Sequence, residues 1–76
     1  MKNLTRSQKE LVSNLRALTV PLPRNTKQIR EDFGDVQAYE SHLRDRLFRL
    51  AAKGVLRYTE FVGPRGGVKS RVWEWR

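Results

Sequence analysis

The chain has 76 residues, no cysteine and one histidine, and its sixteen Lys and Arg against eight Asp and Glu leave a net charge of +8 and a pI near 10.9. That length makes one small domain, residues 1–76, which buries about 60% of its unfolded surface in a thin core. Disulfide frameworks and cysteine-based zinc sites are excluded, the apolar runs are too short for a membrane span or for the apolar stretch of a secretory signal, and a soluble cytoplasmic protein is expected.

In chain order, Ser7-Gln8-Lys9-Glu10 fits a capping box, in which a hydroxyl and a carboxylate satisfy otherwise unpaired amides at a helix start. Helix 1 is predicted to run to about Leu18. Leu11, Leu15 and Leu18 share one face with Val12 beside them, and Lys9, Ser13 and Arg16 face outward. Val20-Pro21-Leu22-Pro23 stops it, because proline has no amide donor and disfavours helix in the residue before it. Residues 19–25 are expected to be an extended connector.

Asn25 or Thr26 caps a second helix through Phe33, with Ile29 and Phe33 turned to the core and Gly34 as a left-handed stop. Asp35 offers the cap of helix 3, predicted over 36–53, which buries Val36, Tyr39, Leu43, Leu47, Leu50 and Ala51. At about 100° per residue, Ala38, Ser41, Asp45 and Ala52 fall opposite, flanked by Gln37, His42 and Arg49. Such a small, polar outer face suits a helix in a DNA major groove and equally suits a solvated surface. Arg44, Arg46 and Phe48 lie at intermediate angles; Arg46 is placed to reach phosphate and Phe48 to pack beneath a hairpin or against helix 2.

Residues 55–62 and 71–75 are rich in β-branched and aromatic side chains and are expected to pair antiparallel, with Val72, Trp73 or Trp75 packing on Leu47 and Leu56. Between them Gly63-Pro64-Arg65-Gly66-Gly67-Val68-Lys69-Ser70 reads as a flexible tip longer than a tight hairpin needs. It presents Arg65 and Lys69, with Arg71 at its base. Residues 44–76 carry nine basic and three acidic side chains, a net of +6, whereas 1–43 carry seven and five, a net of +2. The cations are mostly arginine, which suits phosphate and guanine, and this asymmetry points to a polyanionic partner.

The order helix, helix, helix, hairpin from Ser7 to Trp75, and in particular Leu43-x-x-x-Leu47-x-x-Leu50-x-x-x-Gly54-Val55-Leu56, resembles the winged helix-turn-helix family of small bacterial and phage DNA-binding proteins. The resemblance implies an α+β fold, a three-helix bundle followed by a β-hairpin wing. It also implies sequence-specific binding of double-stranded DNA by a transcriptional or phage-type regulator, with helix 3 in the major groove and residues 63–71 on the backbone or in the minor groove. Base-reading candidates are Gln37, Ser41, His42 and Arg49; backbone candidates are Lys27, Arg30, Arg46, Arg65, Lys69 and Arg71. Two departures from the family pattern stand out. The connector makes a poor first strand, so a two-stranded hairpin is expected instead of a three-stranded sheet. Asp45 repels phosphate unless it accepts from cytosine or pairs with Arg49.

Catalysis is not expected. The glycine-rich 63–67 stretch lacks the Gly-Lys-Ser/Thr ending of a phosphate-cradling loop and lies between strands. His42 beside Glu40 or Asp45 has no nucleophile or second ligand nearby in sequence. No cofactor, metal, membrane or small-molecule substrate is expected, and a homodimer or protein partner is left open. Two rival readings are a winged-helix docking module using Tyr58, Phe61, Trp73, Trp75 and Phe48 as an exposed aromatic patch, and an RNA-binding protein stacking those rings on bases.

Overall fold

A computed structural model describes residues 3–34 and 40–76. The elements are α1 (Arg6–Arg16), β1 (Arg24–Asn25), α2 (Thr26–Phe33), α3 (Glu40–Ala52), β2 (Leu56–Val62) and β3 (Val68–Trp75). Three helices followed by an antiparallel hairpin, with a small three-stranded sheet in the order β1-β3-β2, make a winged-helix-like topology.

Helix α1 begins two residues earlier than expected. Thr5, not Ser7, is the cap: its hydroxyl accepts from the Gln8 amide at 3.2 Å and the Gln8 side chain accepts from the Thr5 amide at 2.9 Å. Glu10 pairs instead with Arg6, one turn away, at 3.6 Å. The helix also ends earlier, at Arg16, with Ala17 as its C-cap. Leu18 still reaches the core, from the turn that follows.

The connector holds the main departure in the fold. Arg24 and Asn25 pair with Trp73 and Val72, so the sheet has three strands where two were expected. The reason is local: an N-cap residue must sit in the extended region. Asn25, at φ −82° and ψ 167°, therefore closes β1 and caps α2 at once, accepting from the Gln28 amide at 2.7 Å. Thr19 is tied to α2 through its amide, which donates to Asp32 at 3.1 Å.

Gly34 ends α2 at φ +69°, as expected of a left-handed stop. The cap at Asp35 and the first turn of helix 3, with Val36, Gln37, Ala38 and Tyr39, lie outside the described residues. Helix α3 ends in a Schellman motif: Gly54, at φ +78°, donates to the Ala51 carbonyl at 3.0 Å and Val55 donates to the Leu50 carbonyl at 3.0 Å. This turn sends the chain directly into β2.

The core is one cluster of Leu11, Leu15, Leu18, Ile29, Leu43, Leu47, Leu50, Leu56 and Trp73. In the register Leu56 faces Trp75, Tyr58 faces Trp73 and Glu60 faces Arg71, so alternation turns these residues to one side of the sheet. Trp73 is fully buried. Its indole N–H donates to the Thr26 hydroxyl at 2.8 Å. Trp75 is half-buried, with the Arg16 guanidinium 5.7 Å from its ring centre.

The tip is shorter and better defined than the sequence suggests. β3 starts at Val68, so only 63–67 connect the strands. Gly66 donates to the Gly63 carbonyl at 3.0 Å and Gly63 donates to the Gly67 carbonyl at 2.8 Å, with Gly66 at φ +83°. That pattern is a three-residue hairpin loop: a tight turn over Pro64 and Arg65, then a left-handed glycine. Lys69 is the extra residue of a bulge where the pairing steps from Phe61↔Ser70 to Val62↔Val68. Among the described residues no helix is long and apolar enough to cross a membrane.

Candidate nucleic-acid interface

Three elements meet around a cleft of about 320 Å³. The cap and first turn of α2 contribute Asn25, Thr26 and Lys27, α3 contributes Arg44, and β3 contributes Val68, Lys69, Ser70 and Arg71. Four of these eight side chains are cationic and none is a carboxylate. The helix start adds the partial positive charge of its leading amides. An anion is therefore favoured in the cleft by side chains and backbone together.

Each cation is there for a structural reason. Lys27 follows the Asn25 cap by two positions and stands exposed at the helix start. Arg44 is about a quarter turn from the leucine stripe, on the flank that also carries Phe48 one turn later. Phe48 packs edge-on against Tyr58 and Trp73, each at 5.2 Å between ring centres, so that flank faces the sheet. Lys69 stands exposed at the bulge.

Arg71 differs from the other three. Its side chain is only 15% exposed, it donates to Glu60 at 2.9 Å, and its guanidinium lies 4.6 Å from the Phe48 ring centre and 5.6 Å from that of Tyr58. Its Nε is buried with no hydrogen-bond partner. Arg71 thus forms part of the cleft wall with its charge offset by Glu60, and it braces the hairpin against α3. Arg71→Met is expected to lower stability by about 1 kcal/mol, since it loses the ring stacking and a half-exposed ion pair but also relieves the orphaned N–H. Urea unfolding measures this; an unchanged midpoint would show that Arg71 braces nothing.

The other candidates are more scattered. Ser41 and His42 are exposed in the first described turn of α3, and Arg49 is in its last turn, about 10 Å along the axis at 1.5 Å per residue. They do not form one cluster, and Gln37 lies outside the described residues. His42, Arg46 and Arg49 fall on the flank of α3 opposite Arg44, where Arg46 donates to Ser7 of α1 at 3.5 Å. Asp45 is exposed on the ridge between the flanks. Arg30 is half-buried in the last turn of α2 and already has a partner, as has His42. Arg65 is exposed at the apex of the tip.

Of the five rings that the docking reading uses, Tyr58 and Phe61 are 39% and 52% exposed and the other three are covered in full or in part. Trp73 is in the core, Phe48 and Trp75 are half-buried, and Phe48, Tyr58 and Trp73 pack on one another because the sheet needs that face covered. Arg44 is the one of the four cleft cations that was not singled out as a contact from the sequence. The signal for it was present: if Phe48 packs beneath the hairpin, the residue one turn earlier must face the hairpin too. Among the described residues no group of three or more His, Cys, Asp or Glu is placed to hold a metal ion. Comparison of the chain with protein-family models, with curated proteins and with solved structures finds no match.

Proposed function

We propose that the chain binds double-stranded DNA with sequence specificity and acts as a transcriptional or phage-type regulator, as a binding protein and not an enzyme. The observation that carries this reading is the cleft in which Lys27, Arg44 and Lys69 converge from a helix start, the third helix and the wing, with no carboxylate among its described lining residues. Three cations from three elements offer several points of contact to a phosphate backbone, and phosphate contacts fix the register in which α3 meets base edges. Ser41, near the start of the described part of α3, is then the leading described base reader, with Gln37 one turn before it in sequence, while His42 and Arg49 lie on the opposite flank. Regulation would follow from occupancy: blocking a promoter, bending DNA or recruiting a partner. A cytoplasmic, nucleoid-associated setting goes with it.

Fluorescence anisotropy with a labelled duplex, titrated over a range of salt, tests the proposal. The affinity should fall steeply with salt, and single-stranded RNA should compete poorly. Arg65→Ala should weaken binding to all sequences alike and reduce the slope of log K against log salt by about one unit. An unchanged slope would remove the wing tip from the interface, and better competition by RNA than by duplex DNA would favour the RNA reading.

A further inference from the structure

The hairpin leaves one long strand edge open. In the order β1-β3-β2 the strand β2 is an edge, seven residues long, and residues 57–62 of it are all exposed. Two bonds at its ends show which way its backbone groups point. Arg76 donates to the Val55 carbonyl at 3.2 Å and Gly63 donates to the Gly67 carbonyl at 2.8 Å, so both ends turn these groups toward β3. Alternation along an extended strand then turns Arg57, Thr59 and Phe61 the same way, and points the amides and carbonyls of Leu56, Tyr58, Glu60 and Val62 outward. No described residue pairs with them. Proteins commonly blunt such an edge with lysine, proline, a bulge or a very short strand. β2 has neither Lys nor Pro, its two charges Arg57 and Glu60 are held by Glu74 and Arg71 of β3, and the bulge at Lys69 is in β3, so β2 stays regular.

An open antiparallel edge is matched by another strand, and β2 matches itself. Two-fold symmetry sets one residue opposite its own copy. With Thr59 at the axis, the outward groups of Tyr58 and Glu60 meet those of Glu60 and Tyr58 in the second copy, and Leu56 and Val62 meet in the same way, for about eight backbone hydrogen bonds. Centring on Glu60 instead sets like charges face to face, centring on Tyr58 leaves Val62 beyond the end of the strand, and centres nearer either end pair fewer residues. The Thr59 register also covers apolar surface that the single chain leaves bare. Phe61, 52% exposed, lies across from the second copy's Arg57, and Val62, 63% exposed, lies across from its Leu56. We infer that the protein forms a two-fold dimer through β2, which joins two three-stranded sheets into one of six strands. No residue lining the basic cleft belongs to β2, so both clefts stay open. The dimer brings together two chains of net charge +8, and salt, by screening that repulsion, should tighten it, the reverse of its effect on phosphate binding.

Sedimentation equilibrium of the full chain without DNA, from about 1 µM to about 500 µM, is the test. The parent should pass from monomer to dimer within that range, and at lower concentration in about 0.5 M salt than in about 0.1 M salt. Thr59→Lys and Thr59→Glu each place like charges face to face at the axis and should weaken the dimer about ten-fold or more, whereas an equal mixture of the two should restore it, because opposite charges then meet. Thr59 is exposed, so urea midpoints close to the parent's are expected. A parent that stays monomeric throughout, or a mixture that dimerises no better than either variant alone, would overturn the inference. Either result leaves the duplex-DNA reading untouched, since no DNA enters the measurement.

Discussion

Trp73→Ala is expected to cost about 3–5 kcal/mol, as large aromatic-to-alanine changes in a core do. A domain of this size has only roughly 4–11 kcal/mol to lose. Trp73 is fully buried, packs on Phe48 and Tyr58 at 5.2 and 5.0 Å between ring centres, and donates to the Thr26 hydroxyl at 2.8 Å. Those three contacts join the start of α2, the middle of α3 and the wing, which are the three walls of the basic cleft. Losing the indole therefore loosens the cleft as well as the core. Trp73→Phe keeps most of the ring contact and loses the hydrogen bond, and should cost about 1–2 kcal/mol. Urea unfolding followed by far-ultraviolet circular dichroism separates the variants; equal midpoints for Trp73→Ala and the parent would mean that the cleft is not held together through this residue.

The second large effect is on binding. Lys27→Ala/Arg44→Ala/Lys69→Ala should lower duplex affinity on the order of 100-fold near physiological salt, and should lower the salt slope by about three units, close to one for each phosphate released. All three side chains are exposed, so stability should move by no more than about 0.5 kcal/mol at each site. The companion variant Arg46→Ala/Arg49→Ala removes charge from the opposite flank of α3. It should change the slope less than the cleft variant does. A larger change for the Arg46/Arg49 pair would turn the helix over and place the DNA on the side of α1.

These expectations rest partly on what sequence shows well. The Leu43, Leu47, Leu50 stripe followed by Gly54 defined α3 and its end, because helical periodicity and a left-handed glycine are both strong local constraints. All three leucines are in the core. Gly34 as a stop was legible for the same reason, and the cap was narrowed to Asn25 or Thr26, of which Asn25 is the one used. The first strand was not. A two-residue pairing has no period to detect, and Asn25 is extended for the sake of the helix it caps. Thr5 and Ser7 both satisfy the capping-box spacing, with Gln8 and Glu10, so local chemistry alone does not choose between them.

At the wing, Pro64 followed two residues later by Gly66 is itself the signature of a tight turn. Length and glycine content suggested a flexible loop, but Val68, Lys69 and Ser70 extend the strand and leave only five residues to connect. The placement of the tryptophans needed the register: pairing Tyr58 with Trp73 turns both to the covered face. The cleft itself joins residues as far apart as Lys27 and Lys69, and such convergence follows from topology, not from any spacing along the chain.

The most direct measurement is recovery of duplexes from a random-sequence pool by the purified protein at near-physiological salt, over several rounds, followed by sequencing. An enriched motif that binds the Lys27/Arg44/Lys69 variant far more weakly than the parent is the expected result, and its symmetry would report whether one copy or two occupy the site. Retention of DNA without any motif would contradict sequence-specific recognition, and failure to retain DNA at all would contradict the proposed function itself.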